Sequence, residues 1–433
     1  MGEELDTDVC VIGAGPAGLA LTLMLLRSGI RVTLVERSTG FRRDFHGELL
    51  QPGGQRVLDE LGILAGAAAR GAASLRGVQV LERDQVLLDI DYGRLPAPYD
   101  HLLALPQPHV LQELLAACRR LPGFTPLEGH RIAALLEKRP GSPCEGAVVH
   151  GPDRTRVTVR AAVVVGADGR FSKTRALAGI DAGRTSFAHD VVRFSLHAPR
   201  RATGRVRVHR GPDSAVLVHD THPDRISVVW ALPQGGARAA GRGIGDIRRE
   251  LAGILPQFAG LLHARLGSMA DLTVLDVSAS HAREWVRDGL VLLGDSAHTH
   301  GPLAAQGIDL ALQDAAALHP VLVAALHAGE PTAQRLAAYQ ERRAPAASAV
   351  HRMQVVQSRA VFGGGPPAAA LLRARAAGIV TRTPFGARIT RRFAHGHDPA
   401  GVRTDLFTVM PDRQHGTLTT PPRGCRQSSV VRP

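Results

Sequence analysis

Apolar and polar residues follow two rhythms along this chain, and each predicts its own layer. In the first rhythm, short runs that are apolar throughout end at glycine or an acid and lead into helix-forming stretches. Asp8-Val9-Cys10-Val11-Ile12 is such a run. Gly13-Ala14-Gly15-Pro16-Ala17-Gly18 is then a tight turn, Leu19 to Ser28 a helix closed by Gly29, and Ile30-Arg31-Val32-Thr33-Leu34-Val35 a second strand. That order predicts the opening of a parallel sheet, since parallel strands need a crossover helix. Ala161 to Gly166 and Leu290 to Leu293 are apolar on both faces, as buried strands of such a sheet are, and the second is expected at its centre. Residues 107–120, 244–266 and 303–328 carry helical spacing, with a kink expected at Pro320.

The second rhythm is shorter. Val78-Gln79-Val80-Leu81, Val86-Leu87-Leu88-Asp89-Ile90, Arg205-Val206-Arg207-Val208 and Ile226-Ser227-Val228-Val229-Trp230 are strands set between turn residues. They predict antiparallel hairpins forming a separate sheet. The chain therefore weaves between an α/β layer and an antiparallel layer.

Composition narrows the class. With 433 residues and 44% hydrophobic content, a sizeable core is expected, built on Leu, Val and Ala because aromatics are only 4%. No run of about 18 apolar residues occurs, so no membrane span is expected. The acidic start MGEELDTDVC enters a strand at once and does not read as a signal peptide. Cys10, Cys118, Cys144 and Cys425 are scattered without zinc-ligand or CxxC spacing, which points to a reducing cytoplasm and no metal.

The net charge of +13 is uneven: residues 351–433 hold thirteen Arg against three Asp. A basic tail can meet nucleic acid or an acidic membrane surface. These arginines lack interleaved aromatics and any nucleic-acid motif, so no nucleic-acid partner is expected, while peripheral membrane contact stays open.

Three stretches carry chemistry. In Gly13-x-Gly15-x-x-Gly18 the glycines let backbone approach a pyrophosphate at a helix N-terminus, and Pro16 and Ala17 open that helix. Glu36 ends the second strand, where a carboxylate can accept both ribose hydroxyls of an adenosine. The motif itself does not separate NAD from FAD. Gly166-Ala167-Asp168-Gly169 again runs from an apolar strand into small residues and an acid, and alone it could be an Asp-capped turn. Gly294-Asp295-Ser296-Ala297-His298-Thr299-His300-Gly301-Pro302 follows the third apolar strand and leads through a bend into a helix starting near Ile308. Its free N–H groups would face whatever lies at the strand end. His298 and His300 lack partners at ligand spacing and read as loop residues.

These three signals, in this order, resemble the FAD-dependent aromatic hydroxylases of the para-hydroxybenzoate hydroxylase type, over roughly residues 6–395. The resemblance implies FAD as cofactor, with NAD(P)H and O2 as co-substrates. It implies hydroxylation of an aromatic or other electron-rich small molecule through a flavin hydroperoxide, as in secondary metabolism. Glu36 would bind the adenosine ribose, Arg37 or Arg43 would lie near the adenine or pyrophosphate, and Gln107 would contact FAD. Asp168 would serve both nucleotides through backbone structure, Asp295 would hold the ribityl chain, and Pro302 would form the bend. The backbone of Gln306, Gly307 and Ile308 would meet the flavin's pyrimidine edge.

The fold expected is α/β: an FAD/NAD(P)-binding Rossmann-like parallel sheet with an interleaved antiparallel-sheet substrate domain. Residues 1–73, 101–180 and 275–345 would form the discontinuous FAD-binding domain, 74–100 and 181–274 the substrate domain, 346–400 C-terminal helices, and 401–433 a disordered tail. Arg193, His219 and Trp230 would line the substrate wall; no catalytic base stands out.

The chain departs from the family pattern at Ala304-Ala305, where Gly-Gly is common, and at Asp309, where Asn is usual. An acid at 309 could alter the flavin's potential. His46 stands where Arg is frequent. No second nucleotide fingerprint is present, and the Trp-x-Trp-x-Ile-Pro pattern of flavin halogenases is missing. An epoxidase or oxidase of the same fold, or a non-enzymatic basic binding protein, are the alternatives.

Overall fold

The computed structural model describes residues 3–40, 48–362 and 383–408, with breaks at 83–84, 140, 188, 199–202, 212, 234–235, 237–242, 276 and 302–305. Arg43, His46, Pro302, Ala304 and Ala305 lie outside the described residues.

The first rhythm forms a parallel sheet. Its order is 286–287, 290–292, 156–166, 3–12, 32–36 and 124–128, with the hairpin 131–137/144–150 branching from 156–166. All neighbours along this path are parallel except 286–287, which closes one edge antiparallel. The strand at Leu290–Leu292 is therefore one place in from the edge, not central. It is fully buried all the same, because helices cover both faces of a parallel sheet.

Helices Pro16–Arg27 and Gly307–His327 pack against each other. Both are apolar nearly all round because they are buried nearly all round. The second has the length and composition of a membrane span, yet it lies inside the core. Pro320 sits within it, and the helix continues to His327.

The second rhythm forms a seven-stranded sheet in the order 273–275, 189–197, 225–233, 215–221, 206–210, 77–82 and 85–91. One pairing breaks the antiparallel expectation: 206–210 runs parallel to 77–82, since these strands come from distant parts of the chain. Alternation sorts its side chains between two faces. Val192, Phe194, Val216, Val228 and Trp230 pack on Ile247, Leu251 and Leu262 of the helices behind the sheet. Val206, Leu217 and Val78 face the other way, onto Leu75, Tyr92 and Leu102.

Trp230 pairs directly with Val192 and Val216, so it belongs to the rear core and is removed from the expected substrate wall.

The tail begins later than expected. Val402 donates its N–H to Glu60 at 2.7 Å, Thr408 donates to the Arg27 carbonyl at 2.8 Å, and Phe407 packs between His319 and the Arg27 guanidinium. Residues 401–408 are thus docked on the parallel layer, while 409–433 fall outside the described residues.

Candidate cofactor and substrate site

The glycine turn is built by close backbone approach. Gly13 has φ +109°, and a Cβ there would stand 2.4 Å from the Ala167 carbonyl oxygen; a Cβ at Gly18 would stand 2.0 Å from the Gly13 oxygen. Gly15 differs: a Cβ there would meet nothing within 4 Å. Open space above Gly15, at an N-terminus no side chain caps, fits a pyrophosphate.

Glu36 is buried at the end of its strand. Its carboxylate accepts from Ala14 N–H at 2.8 Å and Ser38 N–H at 3.0 Å, fixing the glycine turn to the strand. A cleft of about 460 Å³ opens beside it, lined by Ala14, Glu36, Ser38, Gln112 and Arg119 among others. Arg37 is exposed at the same strand end, and Gln107 is buried at the first position of the helix that walls the cleft.

Asp168 and Ser296 tie the second and third motifs together. Asp168 accepts from Ser172 Oγ (2.5 Å), Thr174 N–H (2.9 Å), Thr174 Oγ1 (3.0 Å) and Ser296 Oγ (3.1 Å). Ser296 Oγ in turn accepts from Gly169 N–H at 2.9 Å. With so many donors, Asp168 sets backbone geometry, and Ser172 rather than Asp168 is the cap of the short helix after it.

Asp295 is half-buried; its carbonyl accepts from Thr299 Oγ1 at 3.0 Å, and no described residue donates to its carboxylate. Burial pushes its carboxyl above the usual range, against the pull of Arg170 and His298. A carboxylate with open acceptor sites suits a polyol chain.

Gln306, Gly307 and Ile308 open the long helix, and a Cβ on Gly307 would again meet nothing within 4 Å. Gln306 Nε2 donates to the Phe393 carbonyl at 2.8 Å, which anchors this start to the helix Pro384–His395. Asp309 points away from the opening. It caps the neighbouring helix Pro52–Glu60 from outside, accepting from Gln51 N–H (3.2 Å) and Gly54 N–H (2.8 Å). Burial holds its carboxyl well above the usual range despite these two donors.

His298 lies in a short strand rather than in a loop and is 1% exposed, and His300, in the loop that follows it, is buried beside it. His298 Nε2 meets Asp314 Oδ2 at 2.6 Å, and His298 Nδ1 meets His300 Nε2 at 3.1 Å. Arg343 Nε donates to Asp314 Oδ1 at 2.7 Å. If His298 donates to the carboxylate, His300 donates to His298 and keeps Nδ1 as a bare acceptor, and that atom is indeed buried without a partner. Burial, then the neighbouring imidazoles, hold His300 well below the usual range, so it is neutral. Burial opposes ionisation of Asp314, but His298 and Arg343 outweigh it and hold its carboxyl low. His281 stacks on His298 with ring centroids 5.8 Å apart, and burial lowers it to about 4. Among the described residues no group of three His, Cys, Asp or Glu has metal-site geometry.

Arg193 and His219 lie on the front face of the antiparallel sheet. Arg193 pairs with Glu48, a residue the sequence reading missed, and its Nε donates to Ser227 Oγ at 3.3 Å. His219 Nδ1 meets the Asp220 carbonyl at 2.9 Å, which puts the proton there and leaves Nε2 an acceptor. Burial lowers His219, with Glu48 and Arg193 close enough to pull it in opposite directions.

The glycine turn thus lies at the C-terminal edge of the parallel sheet, where open α/β sheets take their ligands. The FAD binding domain family matches residues 6–354, and the chain belongs to it. It is 46% identical to 6-methylpretetramide 4-monooxygenase of Streptomyces rimosus, over 94% of this chain and 96% of that protein. It is 27% identical to 3-demethoxyubiquinol 3-hydroxylase of Escherichia coli (strain K12), over 78% and 85%. Among solved structures, P. aeruginosa PqsL in complex with 2-aminobenzoylacetate superimposes with a TM-score of 0.75 at 24% identity, covering 86% of this chain and 99% of that one. The protein is an FAD-dependent monooxygenase of aromatic compounds, with NAD(P)H as co-substrate.

Proposed function

We propose that this monooxygenase hydroxylates 6-methylpretetramide or a hydroxylated aromatic compound of that class. The observation that carries the reading is the 46% identity, sustained over 94% of the chain, to the enzyme named for that substrate. FAD, when bound, supplies the electron transfer and oxygen activation that side chains lack.

The chain's own residues do the rest. The Gly13–Gly18 turn, with Pro16 and Ala17 behind it, receives the pyrophosphate, and Glu36 the ribose. Arg37 and Arg43 attract the phosphates, Gln107 flanks the cofactor, and Asp295 accepts from the ribityl hydroxyls. Asp168 acts at one remove, by holding the backbone at Ser296. The N–H groups of Gln306, Gly307 and Ile308 draw electron density toward the flavin's pyrimidine edge. Arg193 and His219 present polar groups to the substrate from the front face, and the two sheets exclude water between them. The substrate unit comprises residues 74–100 and 181–274, and the FAD unit the three segments around it. Buried free thiols at Cys10, Cys118 and Cys144 suit a reducing compartment such as the cytoplasm.

The test is purified protein loaded with FAD, given NAD(P)H and 6-methylpretetramide. Cofactor oxidation dependent on the substrate, with a product heavier by one oxygen atom, is expected. An unaltered substrate, or a product that has lost hydrogen without gaining oxygen, would overturn the reading, the latter in favour of an oxidase.

A further inference from the structure

Electron-rich rings are oxygenated faster once a ring hydroxyl has lost its proton, and among the parts of the site assigned so far only the His219 imidazole, weakened as a base by burial, could take it. One carboxylate in this fold has the required form. Glu48 stands just before the short strand Leu49–Leu50, with its side chain 21% exposed. Its Oε1 is held by Arg193 Nη2, whose side chain is 8% exposed. Its Oε2 is buried and has no hydrogen-bond partner among the described residues.

A buried acceptor without a donor is costly, and one that persists in a fold suits a partner from outside. The neighbourhood is polar on one side only. His219 and Ser227 share the sheet face with Arg193. Leu49, the next residue, belongs to the apolar cluster with Leu75 and Leu102.

Backbone bonds fix where Glu48 stands. Its carbonyl accepts from Leu105 N–H at 2.7 Å. Three residues on, Gln51 N–H donates to Asp309 in the first turn of the Gly307–His327 helix. Glu48 is therefore attached to the helix whose start faces the flavin, while its ion pair reaches across to the substrate sheet.

We propose that Glu48 is the catalytic base, accepting the phenolic proton of the bound substrate at Oε2. The inference rests on the hydroxylase reading above. The substrate O–H bond breaks, an O–H bond forms on Glu48, and the electron pair stays on the substrate oxygen and spreads into the ring. Glu48 returns the proton to the product oxygen after oxygenation. Arg193 is a positioning residue: it occupies Oε1 and so directs the free lone pairs of Oε2 to the substrate. Arg193 and His219 are the ionisable groups facing Glu48 among the described residues.

The experiment uses FAD-loaded wild type, Glu48→Gln, Glu48→Asp and His219→Gln, with 6-methylpretetramide as probe. Absorbance is read on binding without reductant, and hydroxylation is then followed across pH. Wild type should bind the probe in its ionised form at neutral pH. Glu48→Gln should bind FAD normally, show no ionised probe, and hydroxylate about 10²–10⁴-fold more slowly. Its rate should recover as pH rises toward the phenol's own pKa of about 10, which a structural defect would not do. Glu48→Asp should regain part of the rate at neutral pH. A Glu48→Gln enzyme with wild-type rate and pH profile would overturn the assignment alone, as would loss confined to His219→Gln. A wild type that leaves the probe unchanged would overturn the substrate reading and this inference with it.

Discussion

Asp314 and Glu48 are both acids set against an arginine inside the protein, and the difference between them separates architecture from chemistry. Both oxygens of Asp314 are occupied, by His298 and Arg343, and the pair is 1% exposed or less. Glu48 has one oxygen occupied and one empty. A saturated carboxylate holds elements together; an unsaturated one waits for a partner from outside.

The sharpest way to break this comparison is to remove each acid and weigh stability against activity. Asp314→Ala should cost about 3–5 kcal/mol, because it strands Arg343 without its counter-charge. The measurement is a denaturant midpoint. Glu48→Gln should cost about 1–2 kcal/mol, since the amide keeps its volume and one acceptor. Equal losses from the two would dissolve the distinction.

Acid should find the buried imidazoles next. His300 and His319 are buried, with pKa values below the unfolded value; His319 falls to about 4. Below about pH 6.5 the unfolded chain binds the protons that the native state refuses, so stability falls as pH falls, by about 1.4 kcal/mol per unit per group. Asp314 adds its share only further down, where its own lowered pKa is reached. Thermal melts between neutral and mildly acid pH should follow this slope, and His319→Gln should flatten it.

Asp309 is a third acid, saturated by backbone alone. Asp309→Ala removes an external cap from the helix Pro52–Glu60 and should cost about 1 kcal/mol. The smallest stability effect is expected at Gly15→Ala, where the new methyl meets nothing within 4 Å. Melting should scarcely change, while retained FAD, read from its absorbance, should drop because the methyl occupies the pyrophosphate's path.

The nucleotide end of the site was legible in the sequence because its parts are local. Gly13, Gly15, Gly18 and Glu36 fall within one strand-helix-strand unit, so the close backbone approaches at Gly13 and Gly18 follow from spacing alone. The parallel layer was readable for the same reason, as continuous apolar runs. The substrate end was not. Glu48 meets Arg193, and His298 meets Asp314 while Asp314 meets Arg343, only because the fold brings together segments far apart in the chain. No spacing encodes either encounter. Trp230 went to the wrong face because alternation states that two faces exist without saying which one meets helices.

The outside cap at Asp309 bears on how such an enzyme changes its diet. It ties the backbone just after Glu48 to the first turn of the Gly307–His327 helix, while the Glu48 side chain pairs with Arg193 of the antiparallel sheet. Residues on that sheet can then be exchanged to admit a differently shaped molecule while the distance between proton acceptor and oxygen donor is conserved. A scaffold divided in this way lets selectivity drift while reactivity stays put.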